Sequence, residues 1–439
     1  MKKIVCCSLF IISILVNRSL AQSRDSLLYN ATLENCIDYA MKHYPAVTQS
    51  LIDQRIVDHE IKSKLADWFP QLNFYSNYTN NFTLQSTKFG SQIITIGAYN
   101  TSTAQIALTQ TIFDRDVLLA RTSASDVRKQ AEQLTSNTKI NINANVSKAF
   151  YDVLLSQKQI ELLDTDLVLL QRSQKDAYNQ YKGGLVDKID YQRSTIALNN
   201  ATAAKKISVE NLKIKYSTLK LFMSYPPEAP LEIVFDTARI GQEVRSIDTT
   251  ETVNYENRIE YQIFLTQRKL QVDNLRYYKW GFLPSVSAFG QYNFNYFSNS
   301  FPKLYNDNFP NSYAGISLSI PIFQGTKRIQ QVKVAQLQID RLDYDFVALK
   351  DSINAQYTQA LSSYKANLQN FYVQKENLEL AREVYNIIQL QYRQGIKTYL
   401  DVVTANNDLF TAQINYTNAA YQLLINKVDL QVALGNIKY

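Results

Sequence analysis

The chain has 439 residues, with only 11 Gly and 9 Pro against 30 Tyr and 20 Phe, a formal net charge of +7 and a mean hydropathy of −0.25. So few Gly and Pro exclude an ordinary α/β enzyme of many short elements, the 46% hydrophobic content excludes disorder, and the mean hydropathy excludes a bundle of membrane helices.

At the start of the chain, Lys2 and Lys3 precede an apolar run from Ile4 to Val16, and Ser19-Leu20-Ala21 supplies small residues before a cleavage point. Residues 1–21 therefore read as a secretory signal peptide, with Arg18 the one residue against it. Loss of Lys2, Lys3 and Arg18 lowers the net charge from +7 to +4, too weak a bias for a nucleic-acid partner. Cys6 and Cys7 leave with the signal, and Cys36 stays alone as a small residue on a helix face. No later run is long and apolar enough for a transmembrane helix, so entry into a membrane has to be made by strands.

Residues 22–230 form the first of two similar units. No Pro occurs from Gln71 to Tyr225, which predicts very long helices. Two alternating stretches break the helical period: Leu72, Phe74, Tyr78 and Phe82 in a strand near 70–82, then Ile106, Leu108 and Ile112 in one near 104–113. An Asn-, Thr- and Ser-rich loop, about Thr83 to Thr103, joins them. Gly183 and Gly184 lie where one heptad run ends and the next begins, and are read as glycines of a helical hairpin tip with φ > 0. The lysines at 206, 213 and 220 recur at heptad spacing as a basic stripe on an outer helix face.

A linker at 231–254 follows Pro226, Pro227 and Pro230 and holds a candidate short strand, Leu231 to Phe235. The second unit, 255–439, repeats the first: Trp68-Phe69-Pro70 is echoed by Phe282-Leu283-Pro284, and Tyr181, Gly184 and Asp190 by Tyr392, Gly395 and Asp401 at a constant offset of 211. Its strands are expected near 284–297 and 313–323, where Ile316, Leu318, Ile320 and Ile322 alternate with polar residues, and its hairpin tip at Gly395. Thr326 to Arg393 lacks Gly and Pro entirely, so a continuous helix there reaches about 100 Å at 1.5 Å per residue. Heptads run through Leu342, Phe346, Leu349, Ile353, Tyr357, Ala360 and Tyr364. After the break they resume at Leu400, Val403, Asn407, Phe410, Ile414, Thr417, Tyr421, Leu424 and Val428.

Strands of about ten residues with one apolar, aromatic face and one small, polar face suit a lipid-facing barrel with a wet lumen. Four such strands are too few to close a barrel, whose smallest common size is about eight, so a spanning chain must oligomerise. Catalytic chemistry finds no constellation, no catalytic residue is assigned, and no cofactor or metal is expected. His43 and His59 stand about 160° apart on a continuous helix, so they do not share a metal.

With these parts in this order, the sequence resembles the TolC family of outer membrane efflux proteins. The resemblance runs from Thr32-Leu33-Glu34-Asn35-Cys36 to Leu430-Gln431-Val432-Ala433-Leu434-Gly435, and its most specific signals are Tyr392-x-x-Gly395 followed by Leu400-Asp401-Val402-Val403, the echo around Tyr181, Gly184 and Asp190, and the junction Pro321-Ile322-Phe323. It implies a mainly α fold with a small β part and a homotrimer whose protomers each give four strands to a 12-stranded transmembrane barrel. It further implies a cell outer membrane location in a Gram-negative bacterium, contact with outer membrane lipid, and a long periplasmic part docked to a periplasmic adaptor protein and an inner-membrane transporter. It also places Asp190 and Lys397 where the family has an acid-base pair at the periplasmic entrance, and Tyr392 and Asp401 where it has a tyrosine–carboxylate bond. Thr404 stands where the best-known members carry a second acid. The expected function is a passive exit duct of a tripartite efflux or type I secretion system. The rival readings are a periplasmic coiled-coil adaptor or scaffold without a barrel, and an enzyme built on long helices. The exported substrate is not legible.

Overall fold

The computed structural model describes residues 28–235 and 252–437. The expected signal peptide and the middle of the linker lie outside the described residues. The chain is mainly helical with a small sheet. In order, it forms α1 (Leu33–His43), α2 (Pro45–Ala66), β1 (Gln71–Asn80), β2 (Gln85–Phe89), β3 (Gln92–Ile96), β4 (Asn100–Phe113), α3 (Arg115–Lys182), α4 (Lys188–Met223), α5 (Ile259–Trp280), β5 (Ser285–Ser298), β6 (Asn311–Ser319), α6 (Lys327–Arg393) and α7 (Tyr399–Leu434).

Absence of Gly and Pro lets α3 and α6 run unbroken for 68 and 67 residues, so each spans about 100 Å. Asp114 starts α3 by accepting the Asp116 N–H at 2.7 Å, and Thr32 starts α1 by accepting that of Asn35 at 3.3 Å. Hydrophobic burial concentrates at mid-height. There α1 and the chain at 225–235 close over α3, α4 and α7 in a core that includes Cys36, Val146, Phe150, Val153, Leu219, Met223, Leu424 and Val428. Each such side chain contributes about 1.5–3 kcal/mol. Of the candidate strand at 231–235, Ile233 makes a parallel bridge to Ala31, with the Ala31 N–H donating to Glu232 O at 2.8 Å. Burial pushes the Cys36 thiol up to about 12.

Side by side, the helices make one layer. Toward the sheet the order is α2, α3, α5, α6; toward the hairpin tips it is α4, α3, α7, α6. Gln54–Thr135 and Arg128–Asp58 tie α2 to α3 at 2.5 and 2.9 Å, and Arg268–Asp343 ties α5 to α6 at 2.9 Å. Below, Lys215–Asp152 at 3.0 Å joins α4 to α3, and Gln159–Asn418 at 2.8 Å joins α3 to α7. Ala412, Ala419 and Ala420 are buried on α7, which lies between two neighbours and has to admit both closely. The upstream heptads hold, since Leu342, Ile353 and Tyr364 are buried on α6.

The sheet continues the same layer in the order β1-β4-β5-β6, antiparallel throughout. Its register brings Phe74, Ile106 and Tyr292 into one row and Leu72, Leu108 and Gly290 into the next, whereas Tyr75, Gln105, Gln291 and Tyr313 share the opposite face. Period-two alternation in each strand thus becomes one apolar face and one polar face across all four. Aromatic side chains gather at both ends of the apolar face. Trp68, Phe69, Phe282 and Phe323 are exposed at the helix end, and at the loop end the Tyr78 and Phe301 rings lie 5.5 Å apart and those of Tyr296 and Tyr305 5.1 Å.

Three local differences from the sequence reading have physical causes. The segment expected to be a loop, about Thr83 to Thr103, contains the hairpin β2–β3, which reverses at Gly90 with φ 64°, and β4 already begins at Asn100. β6 ends at Ser319 instead of running to 323, because Pro321 has no N–H to give to the ladder. On α7 the predicted Thr417, Tyr421, Leu424 and Val428 are buried, but near the tip the buried face carries Tyr399 and Asn406, whereas Leu400 is 48% exposed and Asn407 is also exposed, so there the packing face is rotated by one residue from the predicted heptad.

Candidate functional site

The two helical hairpins, α3–α4 and α6–α7, turn at the end of the layer away from the sheet, and each turn follows from the same backbone motif. Gly184 has φ 70°; its N–H donates to Tyr181 O at 3.0 Å and the Leu185 N–H to Gln180 O at 2.9 Å. Gly395 has φ 75°, with its N–H on Tyr392 O at 2.9 Å and the Ile396 N–H on Gln391 O at 2.9 Å. Both are Schellman ends, in which glycine holds the left-handed residue without the backbone strain that a Cβ brings. Gly183 was expected to share that role and does not. It caps α3 at φ −76°, in the right-handed region, and its counterpart in the second hairpin is Gln394. Gly184→Ala is therefore expected to lower stability by about 1–2 kcal/mol, whereas Gly183→Ala stays close to neutral, measured as the difference in denaturant midpoints.

The helices that return from the tips are capped differently. Thr398 and Asp401 form a capping box: the Asp401 N–H donates to Thr398 Oγ1 at 3.3 Å, and Asp401 Oδ2 accepts the Thr398 N–H at 2.9 Å and its hydroxyl at 2.8 Å. These bonds hold the Asp401 carboxyl below the usual range, with Lys397 adding to the effect from 3.9 Å. At the equivalent place in the first hairpin, Asp187 caps α4 by accepting the Ile189 N–H at 3.4 Å. Two carboxylates there repel instead of closing a box, which leaves the Asp190 side chain free to point elsewhere.

Of the predicted entrance residues, the structure brings Lys397 to Asp401 and no other pair together. Within the chain, Asp190 is not bonded to Lys397, nor Tyr392 to Asp401. Tyr392 bonds to Gln180, whose Nε2 donates to its hydroxyl at 3.1 Å, so the tips of the two hairpins are tied to each other. Above that bond, the buried Tyr399 hydroxyl lies 2.6 Å from Ser173 Oγ, and Asn406 Nδ2 donates to Asp166 Oδ1 at 3.0 Å. Burial pushes the Asp166 carboxyl up despite that bond. Sequence reasoning missed Gln180, Ser173, Tyr399 and Thr398. The T-x-x-D spacing of Thr398 and Asp401 was a readable signal for the capping box, whereas nothing local marks Gln180. The basic stripe is also reassigned: Lys206 and Lys213 both hold Glu210 at 2.9 Å, and Lys220 caps Pro227 O and Ala229 O, so it offers less free positive charge than its spacing implied. Those bonds lower the Glu210 carboxyl to about 2.

Long paired helices, bonded at one end and leading at the other into a sheet with one apolar face and aromatic ends, define a class of protein built to stand on a membrane and reach far from it. The outer membrane efflux protein family matches residues 36–220 and 273–436, and the chain belongs to that family. It is thus a channel-forming protein of the outer membrane, the exit duct of an efflux or secretion system, and its long helices lie on the periplasmic side. Among curated proteins it is similar to outer membrane protein TolC of Vibrio cholerae serotype O1, at 21% identity over 94% of this chain and 92% of that one. It is also similar to TolC of Escherichia coli strain K12, at 24% over 90% of this chain and 80% of that one. The crystal structure of VceC, from Vibrio cholerae, shares the fold with a TM-score of 0.73 at 15% identity, over 92% of this chain and 96% of that chain.

Proposed function

We propose that three copies of the chain close head to tail into one tube, giving a 12-stranded barrel in the outer membrane and a twelve-helix wall across the periplasm. One observation carries this: the chain is a single layer whose two long edges are open from end to end. In the sheet the edges are β1 and β6, whose free N–H and C=O groups cannot be left in hydrocarbon. Among the helices the edges are α2 and α4 on one side and α6 on the other. Each helical edge carries unpartnered apolar side chains: Ile189, Ile196, Ile207, Ile214 and Leu221 on α4, and Leu337, Tyr344, Leu380 and Val384 on α6. The five on α4 fall within an arc of about 40° at 100° per residue, a straight stripe down the whole helix. Unlike edges that meet make a heterologous contact, and a constant rotation closes it into a ring.

In this reading Asp190, Tyr392, Lys397 and Asp401, with the tip glycines Gly183, Gly184 and Gly395, frame the periplasmic entrance. The Gln180–Tyr392 bond and the capped start of α7 hold it narrow. A periplasmic adaptor would engage the outside of the tube and an inner-membrane transporter would supply the energy, since the family is one of channels and the tip residues make no catalytic arrangement. The test is cell fractionation of the protein expressed in a Gram-negative host. The expected result is an outer-membrane protein that runs as a trimer on a mild gel and collapses to monomer on boiling. A soluble periplasmic monomer would overturn the reading.

A further inference from the structure

β1, β4, β5 and β6 are 10, 14, 14 and 9 residues long and contain no Asp, Glu, Lys or Arg, in a chain that is 19% charged. Hydrocarbon forbids charge on the apolar face, but a water-filled lumen tolerates it, so the membrane does not explain why the polar face is also uncharged. That face is an amide and hydroxyl wall held by cross-strand bonds. Gln105 Nε2 donates to Gln291 Oε1 at 2.6 Å, Asn293 Nδ2 to Asn311 Oδ1 at 2.8 Å, and the Thr103 hydroxyl to Asn295 Oδ1 at 3.2 Å. Tyr313 also donates to Gln291 Oε1. The Phe289 ring lies over Gly315, where an added Cβ would come within 2.9 Å of it, which sets an apolar facet among the amides.

A fixed charge in a pore enriches ions of opposite sign over about one Debye length, roughly 10 Å at 0.1 M salt. An amide does neither, because its NH₂ can serve an anion and its C=O a cation. Resting on the trimeric tube proposed above, we infer that the membrane-crossing part of the duct is indifferent to the sign of a solute's charge. It passes anionic, cationic and neutral polar solutes by exchanging hydrogen bonds with its amide rows. Discrimination by charge is then made in the helical part, with the entrance at Asp401 as one contributor.

The experiment measures K⁺ over Cl⁻ permeability, from reversal potentials in a KCl gradient across planar bilayers holding the protein without residues 1–21, and so without Cys6 and Cys7. Gln291→Cys is charged after insertion with sulfonatoethyl or trimethylammonioethyl methanethiosulfonate, so folding precedes the change, and the fully buried Cys36 does not compete. The expected result is a several-fold shift in opposite directions for the two reagents, because each new ring of charge acts in a wall with none of its own. Asp401→Asn alone should lower the unmodified channel's cation preference. Conducting channels whose permeability ratio ignores both reagents would overturn the inference and leave the duct reading intact. Absence of any channel from the unaltered protein would overturn both.

Discussion

Tyr392→Phe combined with Asp401→Ala is expected to raise single-channel conductance several-fold and to weaken cation preference, measured in planar bilayers at low salt. Tyr392→Phe removes the hydroxyl that ties the two hairpin tips through Gln180, a bond of about 1 kcal/mol in each protomer. Asp401→Ala opens the capping box, so the Thr398 N–H and hydroxyl lose their acceptor and the Thr398 side chain that caps the first turn of α7 is no longer held in place. In the proposed trimer three protomers act on one entrance, so changes that are small singly combine. In that trimer, removing the carboxylate would also remove one negative charge per protomer near the axis. The sign of the pH effect follows from Thr398: because its two bonds lower the Asp401 carboxyl, the charge and the closed box are both present above the ordinary carboxylate range. They are lost only as pH falls through the lowered value. Unchanged conductance and selectivity in the double variant would remove Tyr392 and Asp401 from the entrance.

Ile207→Glu with Ile214→Glu is expected to abolish the trimer while leaving the helical content of the protomer intact. Both side chains are exposed in the single chain, at 62% and 63%, on the open edge of α4, so the isolated fold does not depend on them. In the closed tube each would be buried against the neighbouring copy. The double change forfeits about 1.5–3 kcal/mol per isoleucine and replaces it with the cost of burying an unpaired carboxylate, several kcal/mol more. Boiled and unboiled gel samples should then run alike, and far-ultraviolet circular dichroism should not change. Thr202→Glu, at an exposed position off that stripe, serves as the control and should still give trimers. A stable trimer from the isoleucine double variant would show that the stripe faces something other than a second copy.

Much of the tip was legible because it is local. The scarcity of glycine makes Gly395 and Gly184 conspicuous, and their positive φ is set by bonds within six residues. Gly183 misled because adjacency to a left-handed glycine looks the same in sequence as the left-handed position itself. Asp401 was found by its echo at Asp190, but the two do different things, since Thr398 precedes one and Asp187 the other. The partner of Tyr392 was not legible. Gln180 lies 212 residues away, and only the approach of two hairpin tips brings it within reach. The seam of α7 was legible at Thr417, Tyr421, Leu424 and Val428, which are buried, but misjudged near the tip: heptad spacing treats the helix as having one neighbour, whereas α7 packs against both α3 and α6, and its buried face lies between them.

By itself the sequence determined the duplication, the long unbroken helices, the alternation of four strands and the family, because each depends on the spacing of residue types along the chain. Tertiary structure alone decided the order of elements in the layer, the joining of the two repeats through β4 and β5, and which edges remain open. Periodicity fixes which face of an element is apolar, but not which neighbour covers it. That choice is made by packing among elements more than 250 residues apart in sequence, where many pairings satisfy the same local pattern and only one lets the layer extend unbroken from sheet to tip.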